Sequence, residues 1–163
     1  MAKNKEEKTN VMRVLEQKKI AYTAHTYPHE EGVAVDGVTV AKSMGFDPAI
    51  VFKTLVARGA SKQYYVFDVP VAENLDLKKA AKAVGEKSIE MIHQKELLPL
   101  TGYVHGGCSP VGMKKLFPTV IDASAENLET MIVSAGRIGY QVELSPRDLA
   151  ALVRAKFADL IAE

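Results

Sequence analysis

Tryptophan is absent and cysteine occurs once, at Cys108. A single thiol excludes an intrachain disulfide framework and fits a reducing compartment, so the cytoplasm is the expected location. No apolar run approaches the ~18–20 residues of a membrane span, so no membrane partner is expected. The opening Met-Ala-Lys-Asn-Lys-Glu-Glu-Lys is charged with no apolar segment behind it, which excludes a signal peptide. Charge of one sign is also lacking. Lysine plus arginine number 21 against 20 acids, a formal net charge of +1. Nucleic-acid binding through bulk charge is thereby excluded, although a local basic face is not. Gly-x-Ser-x-Gly, a Walker loop and a dinucleotide fingerprint are all missing, as are repeats, linkers and low-complexity segments. No cofactor is expected. What remains is ordinary globular composition, 47% hydrophobic and 25% charged. The 163 residues suffice for one domain spanning 1–163, with 1–8 a frayed, disordered leader.

The chain is organised around residues 50–57, Ile-Val-Phe-Lys-Thr-Leu-Val-Ala. Their β-branched, apolar run, bounded by Pro48 and Gly59, reads as a buried strand. Alternation puts Val51, Lys53 and Leu55 on one face and Phe52, Thr54 and Val56 on the other. Lys53 thus sits between two apolar neighbours. It either snorkels over an apolar rim or points its ammonium into a pocket.

Around this strand, Thr9 or Asn10 can cap a helix with Val11, Val14 and Leu15 on one face. Residues 21–27 read as a strand and 38–44 as a short helix ended by Gly45. After a turn at 58–62, residues 63–69 are the expected hairpin partner. Asn74 or Asp76 opens a helix over 77–84, with Leu77, Ala80, Ala81 and Val84 as its buried stripe and Gly85 as its C-cap. A short strand at 88–92 and a helical turn at 94–98, closed by Pro99, follow. Residues 102–110 are loop. Strands are expected at 119–122, 130–134 and 140–144, then a helix through about Arg154 capped by Ser145-Pro146, with 156–161 continuing helically. The pattern is α+β, one domain around a mixed sheet.

Gly106-Gly107-Cys108-Ser109-Pro110 is the second informative stretch. Paired glycines permit positive φ and let a ligand approach the backbone; the plainer reading is a tight turn. Ser109 and Pro110 suit an N-cap and first helical position, although Gly112 weakens any helix there. Such a loop would suit a carbonyl oxygen, an oxyanion or a phosphate. The segment 134–139, Ser-Ala-Gly-Arg-Ile-Gly, connects two strands. Ser134, Gly136 and Arg137 could line a site mouth, with Arg137 available for phosphate, or simply form a hairpin loop. His25 and His29 are four apart, but Pro28 and the alternating 22–27 pattern argue against a helix, so no metal site is expected. Cys108 with nearby His105 could form a nucleophile pair; a small semi-buried thiol is the plainer reading. Lys78, Lys79 and Lys82, with Lys114 and Lys115, form either a modest nucleic-acid footprint or a solvated face.

Together these residues resemble the YbaK/EbsC family, the free-standing aminoacyl-tRNA deacylases related to the inserted editing domain of bacterial prolyl-tRNA synthetases. The resemblance rests on His25-Thr26-Tyr27, Phe52-Lys53-Thr54-Leu55, and 74–85 with its Leu-Lys-Lys-Ala-Ala-Lys core. It continues in Thr101-Gly102-Tyr103, the 106–110 loop, Ser134-Ala135-Gly136 and the 142–149 segment, so it spans nearly the whole chain. It implies a mixed, barrel-like β-sheet surrounded by helices, and a pocket for the 3′ aminoacyl end of a mischarged tRNA. The paired glycines with Ser before Pro look most like the branch that hydrolyses Cys-tRNA(Pro). In that branch the substrate's own thiol is thought to attack its ester, releasing a thiolactone. The residues carried over are Tyr27, Lys53, Gly106 and Ser134 as the catalytic set. Thr54, Gly107, Cys108, Ser109 and Pro110 are carried over as substrate-binding. The resemblance also admits a ternary complex with prolyl-tRNA synthetase. Alternatives are an Ala-tRNA(Pro) deacylase using a bound water, a non-catalytic nucleotide or aminoacyl-adenosine binding module, and a thiol hydrolase built on Cys108 and His105.

Overall fold

A computed structural model describes residues 8–163. Of the expected 1–8 leader only Lys8 lies among the described residues, 3.0 Å from the Glu16 carboxylate. Thr9 caps helix α1 (Asn10–Gln17) by accepting from the Met12 amide, and Val11, Met12 and Leu15 are its buried face. Val14 packs at the margin of that core. Strand β1 (Tyr22–Thr26) and helix α2 (Gly37–Met44) follow, the latter capped by Asp36. A single 3₁₀ turn leads into β2 (Phe52–Gly59), which forms an antiparallel hairpin with β3 (Tyr64–Pro70). The strand runs past the expected 57 because Arg58 and Gly59 also pair with β4 (Ile89–Met91). Asp76, not Asn74, caps α3 (Leu77–Val84), accepting from the Lys78 and Lys79 amides.

Four expectations are corrected. Leu77, in the first turn of α3, is 41% exposed; the buried stripe is Ala80 and Ala81, which share a cluster with Phe67 and Val69 of β3. Helix α4 (Gln94–Thr101) runs through Pro99. The proline costs one backbone hydrogen bond, and the last turn is still held. Thr101 donates its hydroxyl to the Leu97 carbonyl, and the Gly102 amide donates to Leu98. No helix starts at Ser109-Pro110, because the Ser109 hydroxyl accepts from the Val111 amide and Gly112 turns to φ 79°. Lastly, the tail is a strand. Arg154 ends α5 (Pro146–Val153) at φ 58°, and β8 (Lys156–Ala158) adds parallel to β5 (Thr119–Asp122).

Sheet order is β4-β2-β3-β5-β8 in the larger sheet. The smaller is antiparallel, β1-β7-β6, with β6 (Met131–Ser134) and β7 (Tyr140–Leu144). Antiparallel β2–β3 beside parallel β3–β5 makes the larger sheet mixed, so the α+β class holds. A closed barrel does not form. Among the described residues one parallel bridge, Val51 to Ile132, links the sheets. Between them lies the main core, where Phe52, Val56 and Val66 meet Val133, Val142, Leu144 and the inner face of α1. Each such side chain contributes about 1.5–3 kcal/mol when fully buried.

Ile132 is 0% exposed and packs with Ala41 and Val51 where the two sheets join. Ile132→Ala should therefore destabilise the fold by about 2–5 kcal/mol in urea unfolding. A loss under about 1 kcal/mol would mean the junction collapses freely and does not hold the sheets together.

Candidate active site

The start of β2, the N-terminal end of α2 and the 103–110 loop converge on a cavity of about 350 Å³. Seven of the residues expected from the sequence line it: Tyr27, Lys53, Thr54, His105, Gly106, Cys108 and Ser134. The others stand behind or beside it. At Gly107 an added Cβ would come within 3.1 Å of the Ile138 nitrogen and 3.3 Å of Arg137 backbone atoms, so this glycine lets two loops pack together. Ser109 is fully buried on the Val111 amide. Pro110 lines a separate cleft of about 160 Å³ with Val14 and Leu152. Gly136, at φ 96°, lies against Tyr103 and Val11. The Arg137 guanidinium stacks 4.9 Å from the Tyr140 ring centroid.

On the cavity wall Lys53 is half-buried. Desolvation holds its pKa below the ordinary lysine value, and the charges of Asp36 and Glu73 pull it back up. Gly106 takes φ 90°, and a Cβ there would meet the Ala34 methyl at 2.7 Å, so a side chain is excluded on two counts. Ser134 accepts from the Gly136 amide at 3.1 Å, which turns the loop after β6 back toward the wall. Facing Ser134 in the β6–β7 ladder is Gln141, which also lines the cavity. Its side-chain carbonyl Oε1 is buried with no hydrogen-bond partner. An orphaned acceptor on a cavity wall costs free energy unless a ligand donor meets it.

Beneath Thr54 lies a group that the sequence reading missed. Asp68, directly opposite Thr54 in the β2–β3 register, is 0% exposed. The Thr54 hydroxyl donates to Asp68 Oδ1 at 2.5 Å, and Oδ2 has no partner. Burial pushes the carboxyl from 3.8 up to about 7, against the opposing pull of the Thr54 bond. Across from it, Cys108 is pushed up to about 12, first by burial and then by the Asp68 charge, while a hydrogen bond with Thr101 acts the other way. Cys108 is therefore a neutral thiol near pH 7, and the thiolate that a nucleophile requires is scarce. His105 lines the cavity from an exposed position.

The remaining histidine pair is structurally occupied. His25 Nε2 lies 2.8 Å from the Glu143 carboxylate, and His29 Nδ1 lies 3.1 Å from the Tyr27 carbonyl oxygen. Among the described residues no group of three or more His, Cys, Asp or Glu side chains is placed to hold a metal ion. Nor is any helix among them long and apolar enough to cross a membrane. The signal for Asp68 was present as one acid inside the Tyr-Tyr-Val-Phe-Asp-Val strand. Gln141 is likewise a polar residue inside a strand, and Asp36 is marked only as the cap of α2.

A cavity built from a strand lysine, a glycine loop and converging hydroxyls is the kind of site that binds and activates a small polar group. Residues 32–152 match the model of the aminoacyl-tRNA editing domain, and the chain belongs to that family. It is 44% identical over 161 residues to an Enterococcus faecalis protein named, by inference, Cys-tRNA(Pro)/Cys-tRNA(Cys) deacylase EbsC, covering 98% of each chain. Among solved structures it is similar to an inferred trans-editing enzyme for prolyl tRNA synthetase. That similarity is 26% identity and a TM-score of 0.79 over 94% of this chain and 95% of that one. A hypothetical protein at 21% identity shares the fold with a TM-score of 0.82, covering 93% and 99%.

The raised Asp68 pKa has a consequence for stability. Folded Asp68 holds its proton up to about pH 7, whereas the unfolded carboxyl releases it near 3.8. Its stabilising contribution is complete below the unfolded pKa and is lost as pH rises through the folded one, by up to on the order of 4 kcal/mol. Asp68→Asn should thus gain stability relative to the parent between pH 4 and 7, in urea unfolding across that range. A difference independent of pH would place the carboxyl at its ordinary pKa.

Proposed function

We propose that this chain is a free-standing aminoacyl-tRNA deacylase that edits Cys-tRNA(Pro) in trans. The observation that carries the reading is the half-buried Lys53 ammonium on the wall of a 350 Å³ cavity. Its setting is a chain of the aminoacyl-tRNA editing family. That volume lies at the lower end of small-ligand sites and suits an aminoacyl group with the ribose that carries it.

An aminoacyl ester is already activated, so the protein has to position it and stabilise developing negative charge. Lys53 supplies the positive charge, toward the oxyanion or the neighbouring phosphate and ribose. Gly106 allows the backbone to approach the ester. Tyr27, Thr54 and Ser134 orient the ribose and amino acid, and the orphaned Gln141 oxygen accepts from the substrate α-ammonium. The nucleophile is the substrate cysteine's thiol, which fits a cavity whose own thiol stays protonated. Closure gives a thiolactone and free tRNA.

Substrate choice follows from size. A site that accepts proline cannot exclude cysteine or alanine by bulk, and one methylene is worth only about 1–3 kcal/mol, so a second sieve is required. If the thiol is the nucleophile, an alanine ester lacks the reactive group and a serine ester carries a weaker one. The tRNA body is harder to hold with a net charge of +1. Loose binding, with prolyl-tRNA synthetase retaining the tRNA in a ternary complex, answers that difficulty and makes isolated binding strongly salt-sensitive. The cytoplasm, where tRNA is charged, is the compartment this reading assigns.

The test is hydrolysis of Cys-tRNA(Pro), Ala-tRNA(Pro) and Pro-tRNA(Pro) by the purified chain, with Lys53→Ala beside it. Loss of the cysteine ester alone is expected, and Lys53→Ala should lower the rate by about 10²-fold or more with unchanged circular dichroism. Loss of the alanine ester would transfer attack to a bound water. Binding of a non-hydrolysable aminoacyl-adenosine analogue without turnover of any ester would make the chain a binding module.

A further inference from the structure

The deacylase reading leaves one buried group without a task. Asp68 is the acid in a strand whose neighbours Val66, Phe67 and Val69 are all buried and apolar. One of its oxygens has no partner, and the other takes the hydroxyl proton of Thr54, a cavity-lining residue. A buried carboxyl serving only the fold would be expected to satisfy both oxygens. Accepting that proton also fixes the polarity of Thr54. With its proton committed to the carboxylate, the hydroxyl oxygen offers only lone pairs elsewhere, so it reads a ligand that donates.

We propose that Asp68 is the proton acceptor for thiol attack, acting through the Thr54 hydroxyl, which receives the substrate cysteine S–H in the cavity. The proposal rests on the deacylase reading. As the sulfur lone pair forms the S–C bond at the ester carbonyl, the S–H proton passes to Thr54 Oγ1, and the Thr54 proton passes to Asp68 Oδ1. The C–O bond to the ribose then breaks. Its oxygen takes the proton back along the same two groups, leaving a thiolactone, a free ribose hydroxyl and the protein unchanged. Asp68 touches no substrate atom and is a positioning and relay residue. An alanine ester offers Thr54 no proton to take.

The surroundings suit the relay. On the same face of β2, Phe52 and Val56 flank Thr54, and β5 sets Ile121 opposite Asp68. The titratable neighbours from the loop are Cys108 and, beyond it, Tyr103, both pushed up to about 12 and so silent near neutrality. Tyr103 is further committed by donating to the Val111 carbonyl at 2.5 Å. Lys53, next to Thr54 on β2, is the nearby cation, with Asp36 and Glu73 around it, and His105 stands on the exposed side of the loop. Asp68, with a pKa near 7, changes charge in the range where an acceptor is most effective.

The experiment measures kcat/KM for Cys-tRNA(Pro) from pH 5.5 to 8.5 with the parent, Asp68→Asn, Thr54→Ser and Thr54→Val. Dividing variant by parent rates at each pH removes the substrate's own ionisations. Asp68→Asn should fall about 10²-fold at pH 8 and lose the limb near pH 7, with KM little changed. Thr54→Ser should keep the limb, and Thr54→Val should lose it. Should Asp68→Asn fail to fold, the serine and valine pair decides alone. A limb that survives in both Asp68→Asn and Thr54→Val, or equal rates for serine and valine, would overturn the relay. Absence of turnover by the parent on any ester would instead overturn the deacylase reading on which it rests.

Discussion

A carboxyl group buried in the centre of a hairpin sets the terms for this site. Asp68 lies across from Thr54, and that pairing fixes the register of β2 against β3. A slip of one residue would carry the carboxyl to the face where Phe67 and Val69 pack beneath the alanines of α3. Were β2 the strand to slip, the core residues Phe52 and Val56 would be exchanged for Lys53 and Leu55. Either slip is costly, so the polar pair and the apolar pattern select the same register. Flanking strands reinforce it, since β4 pairs on one side of the hairpin and β5 on the other.

From that hairpin the cavity follows by packing. The larger sheet brings Lys53 and Thr54, while the smaller sheet brings Ser134 and Gln141 as a cross-strand pair. The two sheets approach at the Val51–Ile132 bridge and stay open beyond it, which leaves room for a site. Two loops complete the wall because Gly107 allows backbone to lie against backbone at 137–138. The glycine pair is thus divided in its work. Gly106 faces the cavity and Gly107 holds the loop that presents it.

Much of this was legible in the residues. Caps at Thr9, Asp76 and Ser145 announced three helices, and the β-branched run at 50–57 announced the central strand with a lysine out of pattern. Lys53, Gly106, Ser134 and Tyr27 are far apart in the chain, and resemblance rather than periodicity grouped them. Propensity failed where tertiary contacts ruled. The 156–158 strand exists because β5 offers an open parallel edge, and α4 outlasts Pro99 because a threonine hydroxyl and a glycine amide hold its last carbonyls. Ser109-Pro110 looked like a helix start, yet the serine oxygen is spent on Val111. Arg137, offered for phosphate, lies on the Tyr140 ring. Asp68 escaped notice because an acid in a strand reads as an outward-facing residue until its partner across the ladder is known.

The two buried acids beside the cavity, Asp68 and Cys108, constrain each other. Ionising the carboxyl raises the pKa of the thiol, since two negative charges in a low-polarity interior repel strongly. The charge state in which Asp68 can accept a proton is therefore the state in which the protein's own thiol is least able to become a nucleophile. A thiolate at Cys108 would compete with the substrate's sulfur for the same ester and leave an acylated protein. A carboxylate beneath the floor suppresses that competitor, and on the relay proposed above an incoming thiol would meet it only through the Thr54 hydroxyl. The stability cost of an ionised interior acid and, on that proposal, the selectivity for an incoming thiol have one physical origin, the low polarity of the space beneath β2.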